Sequence, residues 1–300
     1  MSSLLKTFVI SVAAFSAVVM TTAPTFAKDV TAEEAKQRVN LAGRQRMLSQ
    51  RIAMSACFAT MGVDARENYE RLDDAFKEFS LVHEGLRNGN EDLGLHQEGY
   101  RSVIDVLDGV DLVWTDYQEM VDGFMKIKLM TPDIMNRFDS KSLAVLNDMN
   151  IAVTTIASSY SADLEELPQI LALTIDFAGR QRMLSQKIAK EFCLVSAGIN
   201  ADENRDLLIQ SHEQFNMTLS ALVDGIPHLI TPAPTQEIKA NLDAVEEAWV
   251  QPNLIIAKAI AGDDITRMDQ QFISDNMEII LMRMNDTVTL YEDVDGLPNF

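Results

Sequence analysis

The chain has 300 residues, with 25 Lys and Arg against 45 Asp and Glu, for a net charge of −20. Such a charge argues against nucleic acid and anionic lipid as partners, since both would be repelled. The four histidines, His83, His96, His212 and His228, have no metal-ligand spacing, and there is no phosphate-cradling glycine loop or recognisable nucleophile arrangement. An enzyme is therefore the weakest reading, and no cofactor or metal is implied.

In chain order, residues 1–27 read as a secretory signal peptide. Lys6 is the basic start, Phe8 to Met20 the apolar stretch, and Thr25-Phe26-Ala27 a small-x-small cleavage site. Cleavage would remove Lys6 and take the net charge from −20 to −21. No later segment is long and apolar enough to cross a membrane. The expectation is a soluble periplasmic protein beginning at Lys28, not itself membrane-spanning and without a transmitter of its own.

Helix signals dominate the chain from Lys28 onward. Thr31 to Glu34 has the pattern of a capping box, opening a helix that runs to Met61 and stops at Gly62. Asp64 to Glu67 has the same pattern and opens a second helix to about Leu86. A loop around Asn88 to Gly94 leads to a third helix, roughly His96 to Met130. Thr131-Pro132 caps a fourth, which reaches about Leu167. The plan then repeats over about 168–197, 201–223, 235–261 and 264–291. Pro252 is expected to kink the seventh helix or end it early. The sixteen methionines are read as core fillers, not as haem or copper ligands. The fold class is all-α, two tandem up-down four-helix bundles over 28–167 and 168–300.

A literal repeat underlies this plan. Ala42-Gly43-Arg44-Gln45-Arg46-Met47-Leu48-Ser49-Gln50 returns unchanged as residues 178–186, 136 positions later. Ile52-Ala53, Cys57 and Gly62 return at the same offset. Leu107-Asp108, Trp114 and Met149-Asn150 return with the offset slipped by one, as Leu242-Asp243, Trp249 and Met284-Asn285. A period this long denotes two copies of a domain. Most of the sequence between these points has diverged, so the nine-residue block answers to a tighter constraint than helix packing.

On the first helix, Ala35, Val39, Ala42, Arg46, Ser49, Ala53, Ala56 and Thr60 follow a four-three spacing, which makes one stripe. Every member but Arg46 is small or apolar, so a second helix can approach closely and shield the guanidinium from water. Ala178, Arg182, Ser185 and Ala189 form the equivalent stripe. An arginine cannot shed its charge and needs an anionic partner when shielded. If the two stripes pack against each other, Arg46 and Arg182 face each other across a pseudo-twofold axis, and an anion between them would relieve their repulsion. The bland alternative pairs each arginine with a carboxylate of its own bundle. Arg44, Arg51, Arg180 and Lys187 share another face and read as surface charges or ion-pair partners, and Gln45 and Gln181 as structural. Cys57 and Cys193 lie eleven residues beyond the arginines, about 16 Å along the helix. They are read either as thiols buried in separate bundle cores, favoured by the demanding geometry of a bridge, or as a disulfide between parallel twin helices.

The pattern Asn40-x-Ala42-Gly43-x-x-Arg46-Met47-x-Ser49-x-Arg51 resembles the periplasmic P-box of bacterial nitrate/nitrite sensor kinases. The same motif marks the N-terminal domain family named after the type IV pilus chemotaxis transducer. In the nitrate sensors the domain is a four-helix bundle whose first helix pairs with that of a second subunit, with nitrate between the two arginines. The resemblance implies those roles for Arg46 and Arg182, with Gly43 and Gly179 beside the ligand. Ser49 and Ser185, within the same block, complete the candidate set. Asp176 stands where the first copy has Asn40, and Lys187 where it has Arg51. The leading expectation is a periplasmic sensory protein for a small oxyanion, nitrate or nitrite first, acting on a membrane-bound sensor, chemoreceptor or transporter. The alternative is a structural or protein-interaction module in type IV pilus or chemosensory signalling, with no small ligand.

Overall fold

The computed structural model describes residues 30–163, 169–226, 230 and 232–294. The signal-peptide reading and the join at Pro168 lie outside them. Eight α-helices and no strand are found among the described residues. They are α1 Ala32–Thr60, α2 Ala65–Asn88, α3 Arg101–Ile127, α4 Pro132–Asp163, α5 Gln169–Ser196, α6 Ala201–Asp224, α7 Gln236–Ala261 and α8 Arg267–Glu292. The protein is all-α, built as two four-helix halves.

Within each half the motif helix carries the packing. Helix α1 lies against α2, α4 and α5, and α5 lies against α6, α8 and α1. This explains why the repeated block is buried on almost every side. From Leu41 to Ala59 every residue but Arg44 and Arg51 is buried, polar ones included. The repeat is packed as a repeat. Phe79 stacks on Trp114 with ring centroids 3.8 Å apart, and their counterparts Phe215 and Trp249 meet at 4.3 Å. Gln50 Nε2 donates to the Ser142 carbonyl of α4 at 2.9 Å, and Gln186 Nε2 to the Met277 carbonyl of α8 at 3.4 Å.

Four local expectations are adjusted. At the start of α1 half of the capping box forms. Thr31 Oγ1 accepts from the Glu34 amide, but the Glu34 carboxylate turns instead to Arg38 and His96. At the start of α2 no box forms. Asp64 takes a left-handed conformation (φ 36°) to close the tight turn after Gly62, and its side chain meets Gln271. Helix α7 keeps the bounds expected for it: the early end at Pro252 does not occur, and the helix runs on to Ala261. Pro252 is buried beside Trp249, Ile255 and Ile256, and that packing offsets the roughly 3 kcal/mol a helical proline costs. Helix α3 also begins five residues later than expected. Arg38 donates to the Leu86 and His96 carbonyls and the Glu98 carboxylate, which holds the stretch before Tyr100 against the start of α1.

A candidate anion site between the motif helices

Helices α1 and α5 pack side by side and parallel, because equivalent residues meet at two levels. At one level Cys57 and Cys193 form a disulfide, with Cα atoms 6.2 Å apart. The expectation of two thiols in separate cores is therefore corrected. The small-residue stripes let α1 and α5 come close enough to bring twin positions within bridging distance. Three turns away, the motif arginines meet over the motif glycines. A Cβ on Gly43 would lie 3.4 Å from Arg46 Nη2 and 3.6 Å from Arg182 Nη2; one on Gly179 would lie 3.2 Å from Arg182 Nη2 and 3.7 Å from Arg46 Nη2. Both glycines thus lie directly against both guanidiniums, with the tighter approach at Gly179.

Both arginines are shut off from water, Arg46 at 2% exposure and Arg182 at 3%. Their surroundings match on one side. Arg46 Nη1 donates to Asn150 Oδ1 and Arg182 Nη1 to Asn285 Oδ1, each at 3.4 Å. These asparagines belong to the repeated Met-Asn pair on α4 and α8. The repeat displayed them, but nothing in the sequence tied them to the arginines. Ser49 and Ser185, the remaining members of the candidate set, lie one turn along from the arginines. Each hydroxyl donates to its own helix, at 2.8 Å to the carbonyls of Arg46 and Arg182 respectively.

On the other side the symmetry breaks. Arg46 Nη2 forms an ion pair with Asp176 Oδ1 at 2.7 Å, across the join between the copies. Asp176 Oδ2 is held by Arg180 at 2.8 Å. Burial alone would raise the Asp176 carboxyl, but Arg46 and Arg180 together hold it below its ordinary value. Its twin, Asn40, carries no charge and donates to Glu292 Oε2 at 3.0 Å. Arg182 forms no ion pair among the described residues, and its Nε is buried without a hydrogen-bond partner. Burial, offset in part by Glu292 and reinforced by Arg44 and Arg46, pushes Arg182 down to about 9, so it stays charged at neutral pH. Glu292 is pushed up to about 7 by burial, against the pull of Arg182.

A third buried arginine gives the measure of this. Arg38, 1% exposed, is met by the carboxylates of Glu34 and Glu98, each at 3.0 Å, and by two backbone carbonyls. That is the usual condition of a buried guanidinium. Arg46 has one carboxylate and Arg182 has none. The flanking charges are ion-pair partners, as expected: Arg44 with Glu78, Arg51 with Glu278, Arg180 with Asp176 and Lys187 with Glu191. Gln45 and Gln181 are fully buried, and Gln181 Nε2 donates to the Phe215 carbonyl.

Fold and geometry thus define a duplicated helical-bundle protein with two buried arginines facing each other on its internal axis. The sequence profile of the type IV pili methyl-accepting chemotaxis transducer N-terminal domain (PilJ) matches residues 31–136 and again residues 171–272, once in each half. The chain belongs to that family, in two tandem copies, and the family is one of sensory domains in chemotaxis transduction. No curated protein matches the chain.

Proposed function

We propose that the protein is a periplasmic sensory protein that binds a small oxyanion, nitrate or nitrite first, between α1 and α5 and reports the bound state to a membrane-bound sensor, chemoreceptor or transporter. The observation that carries this reading is Arg182, a buried guanidinium with no carboxylate, facing Arg46 over two glycines. A planar anion with several acceptor oxygens matches the planar donor fork of arginine. The Cys57–Cys193 bridge supports an oxidising compartment, in line with a cleaved signal peptide. None of the helices among the described residues is long and apolar enough to cross a membrane.

The alternative is a non-enzymatic interaction module with no small ligand, in which Asp176 serves as the internal counter-ion of Arg46. The ion pair at 2.7 Å favours it. A thermal-shift series with nitrate, nitrite and chloride separates the two. A ligand that binds only the native state raises the melting temperature by an amount that grows with the logarithm of its concentration relative to its dissociation constant. A rise specific to one anion supports the sensory reading; a flat response to all three leaves the interaction module.

A further inference from the structure

The two copies supply the same nine residues to the axis, yet they do not supply the same charge. We propose that Asp176 is the specificity-determining residue of the site: its carboxylate, shared between Arg46 and Arg180, sets a fixed negative charge against Arg46 and leaves Arg182 without an ion pair, so the site takes a compact monoanion in preference to a dianion. This rests on the anion-site reading above.

The charge inventory around the pair leads there. Arg46 and Arg182 share the space over Gly43 and Gly179. Asp176, from α5, places one carboxylate oxygen on Arg46 and the other on Arg180. At the twin position α1 carries Asn40, which brings no charge and is turned to Glu292 at the end of α8. Glu292 lies on the Arg182 side but forms no ion pair with it. Arg44 is paired with Glu78. A symmetric pair of free arginines would offer an entering anion two positive charges, which in a water-poor space favours a dianion strongly. With Asp176 in place, a dianion would meet one guanidinium and a fixed carboxylate across the same small gap. It would remain under-compensated, whereas a monoanion balances Arg182 alone. The asymmetry also divides the work: Arg182 holds the ligand, and the Arg46–Asp176 pair forms the polar wall opposite.

The experiment is calorimetric titration of nitrate and sulfate into the full mature chain, as wild type, as Asp176→Asn, and as the double variant Arg46→Met/Asp176→Asn. Asparagine is already accommodated at the twin position, and circular dichroism confirms that each variant is folded. The wild type is expected to bind nitrate and not sulfate. Asp176→Asn is expected to bind nitrate at least about tenfold more tightly and to gain sulfate binding, because two guanidiniums then face the ligand. The double variant, which removes one of those two guanidiniums, is expected to lose the sulfate binding that Asp176→Asn gains, because a single positive charge again faces the ligand. If Asp176→Asn leaves both affinities unchanged, or the double variant still binds sulfate, the valence assignment is overturned while wild-type nitrate binding still stands. If no variant binds either anion, the anion site itself is refuted. If only Asp176→Asn binds, Asp176 is the resident counter-ion of a ligand-free module, and the valence assignment is overturned together with the anion-site reading.

Discussion

Asn40 and Asp176 occupy equivalent positions on twin parallel helices and face opposite ways chemically: Asn40 donates to Glu292, while Asp176 accepts from Arg46 across the join. One changed atom type therefore decides which of two identical arginines is charge-balanced. The consequence for stability is specific. A buried charge without a counter-ion opposes folding, whereas a buried ion pair broken on one side leaves its partner stranded.

Arg182 and Arg38 should thus respond in opposite directions to the same substitution. Arg182→Met removes an uncompensated buried cation and is expected to raise the melting temperature of the ligand-free protein while abolishing any anion-dependent shift. Arg38→Met strands Glu34 and Glu98 in a buried site and is expected to cost about 3–5 kcal/mol. Chemical denaturation of the two variants beside the wild type checks both. A destabilised Arg182→Met would mean that the guanidinium is better compensated than its contacts indicate.

The site should also titrate. Glu292 has a folded-state value of about 7 against 4.5 when unperturbed. Below 4.5 it is protonated in both states and does not affect stability. Between 4.5 and about 7 the unfolded chain ionises while the folded protein keeps its proton, so stability falls as pH rises through that window and then levels off. Arg182 favours the ionised form, whereas burial, Glu33 and Asp293 oppose it. Asp176, held low by Arg46 and Arg180, stays ionised throughout. Anion affinity should therefore be greatest below about pH 7 and weaken as Glu292 ionises beside Arg182. Titrations at several pH values test this, and Glu292→Gln should flatten the profile. A profile that Glu292→Gln leaves unchanged would place the titrating group elsewhere.

How far the sequence could have led is clear from these residues. The eight helices were legible because their stops are local: Gly62, the Asn88 to Gly94 loop and Thr131-Pro132 all act within a few residues. The twin-helix packing was legible because the repeat placed small residues and an arginine on one stripe twice. The charge balance was not. Asp176 stood out as a departure from Asn40, but its pairing with Arg46 depends on how two helices sit side by side. Glu292 lies outside the recognised repeat, so no sequence pattern marks it. Asn150 and Asn285 were visible as a repeated pair, yet their partners lie 104 and 103 residues away. The Asp64 capping pattern misled because such motifs assume an ordinary approach to the helix, and the turn after Gly62 demands a left-handed one.

The disulfide should stabilise the fold without building the site. It closes a loop between residues 136 apart in sequence, and restricting the unfolded chain over such a span contributes about 2–5 kcal/mol. Cys57→Ala/Cys193→Ala is expected to lower stability by that order and to leave nitrate affinity within a few-fold, since the bridge lies about 16 Å along the helices from the arginines. Denaturation and calorimetry on the same samples measure both. Loss of binding in a folded double variant would mean that the covalent link sets the spacing of α1 and α5 at the arginines.

The glycines test the geometry directly, because both lie against the two guanidiniums. A Cβ on Gly179 would stand 3.2 Å from Arg182 Nη2, while one on Gly43 would stand 3.4 Å from Arg46 Nη2. Both glycines lie inside helices, where alanine is the better helix former by about 1 kcal/mol, so neither change harms the local fold. Any loss must come from the displaced guanidiniums. Arg46 is anchored by Asp176 and gives way less readily, but it is not the group assigned to hold the ligand. Arg182 has no such anchor and would be pushed out of line. Gly179→Ala is therefore expected to weaken nitrate binding about tenfold or more, the scale of losing one charge-assisted hydrogen bond. Gly43→Ala should weaken it less, and both proteins should melt at or above the wild-type temperature. Calorimetry beside a melting curve reads the two effects separately. Equal losses in the two variants would indicate that Arg46 and Arg182 hold the anion alike, and an unaltered affinity in Gly179→Ala would remove the ligand from the space between the motif helices.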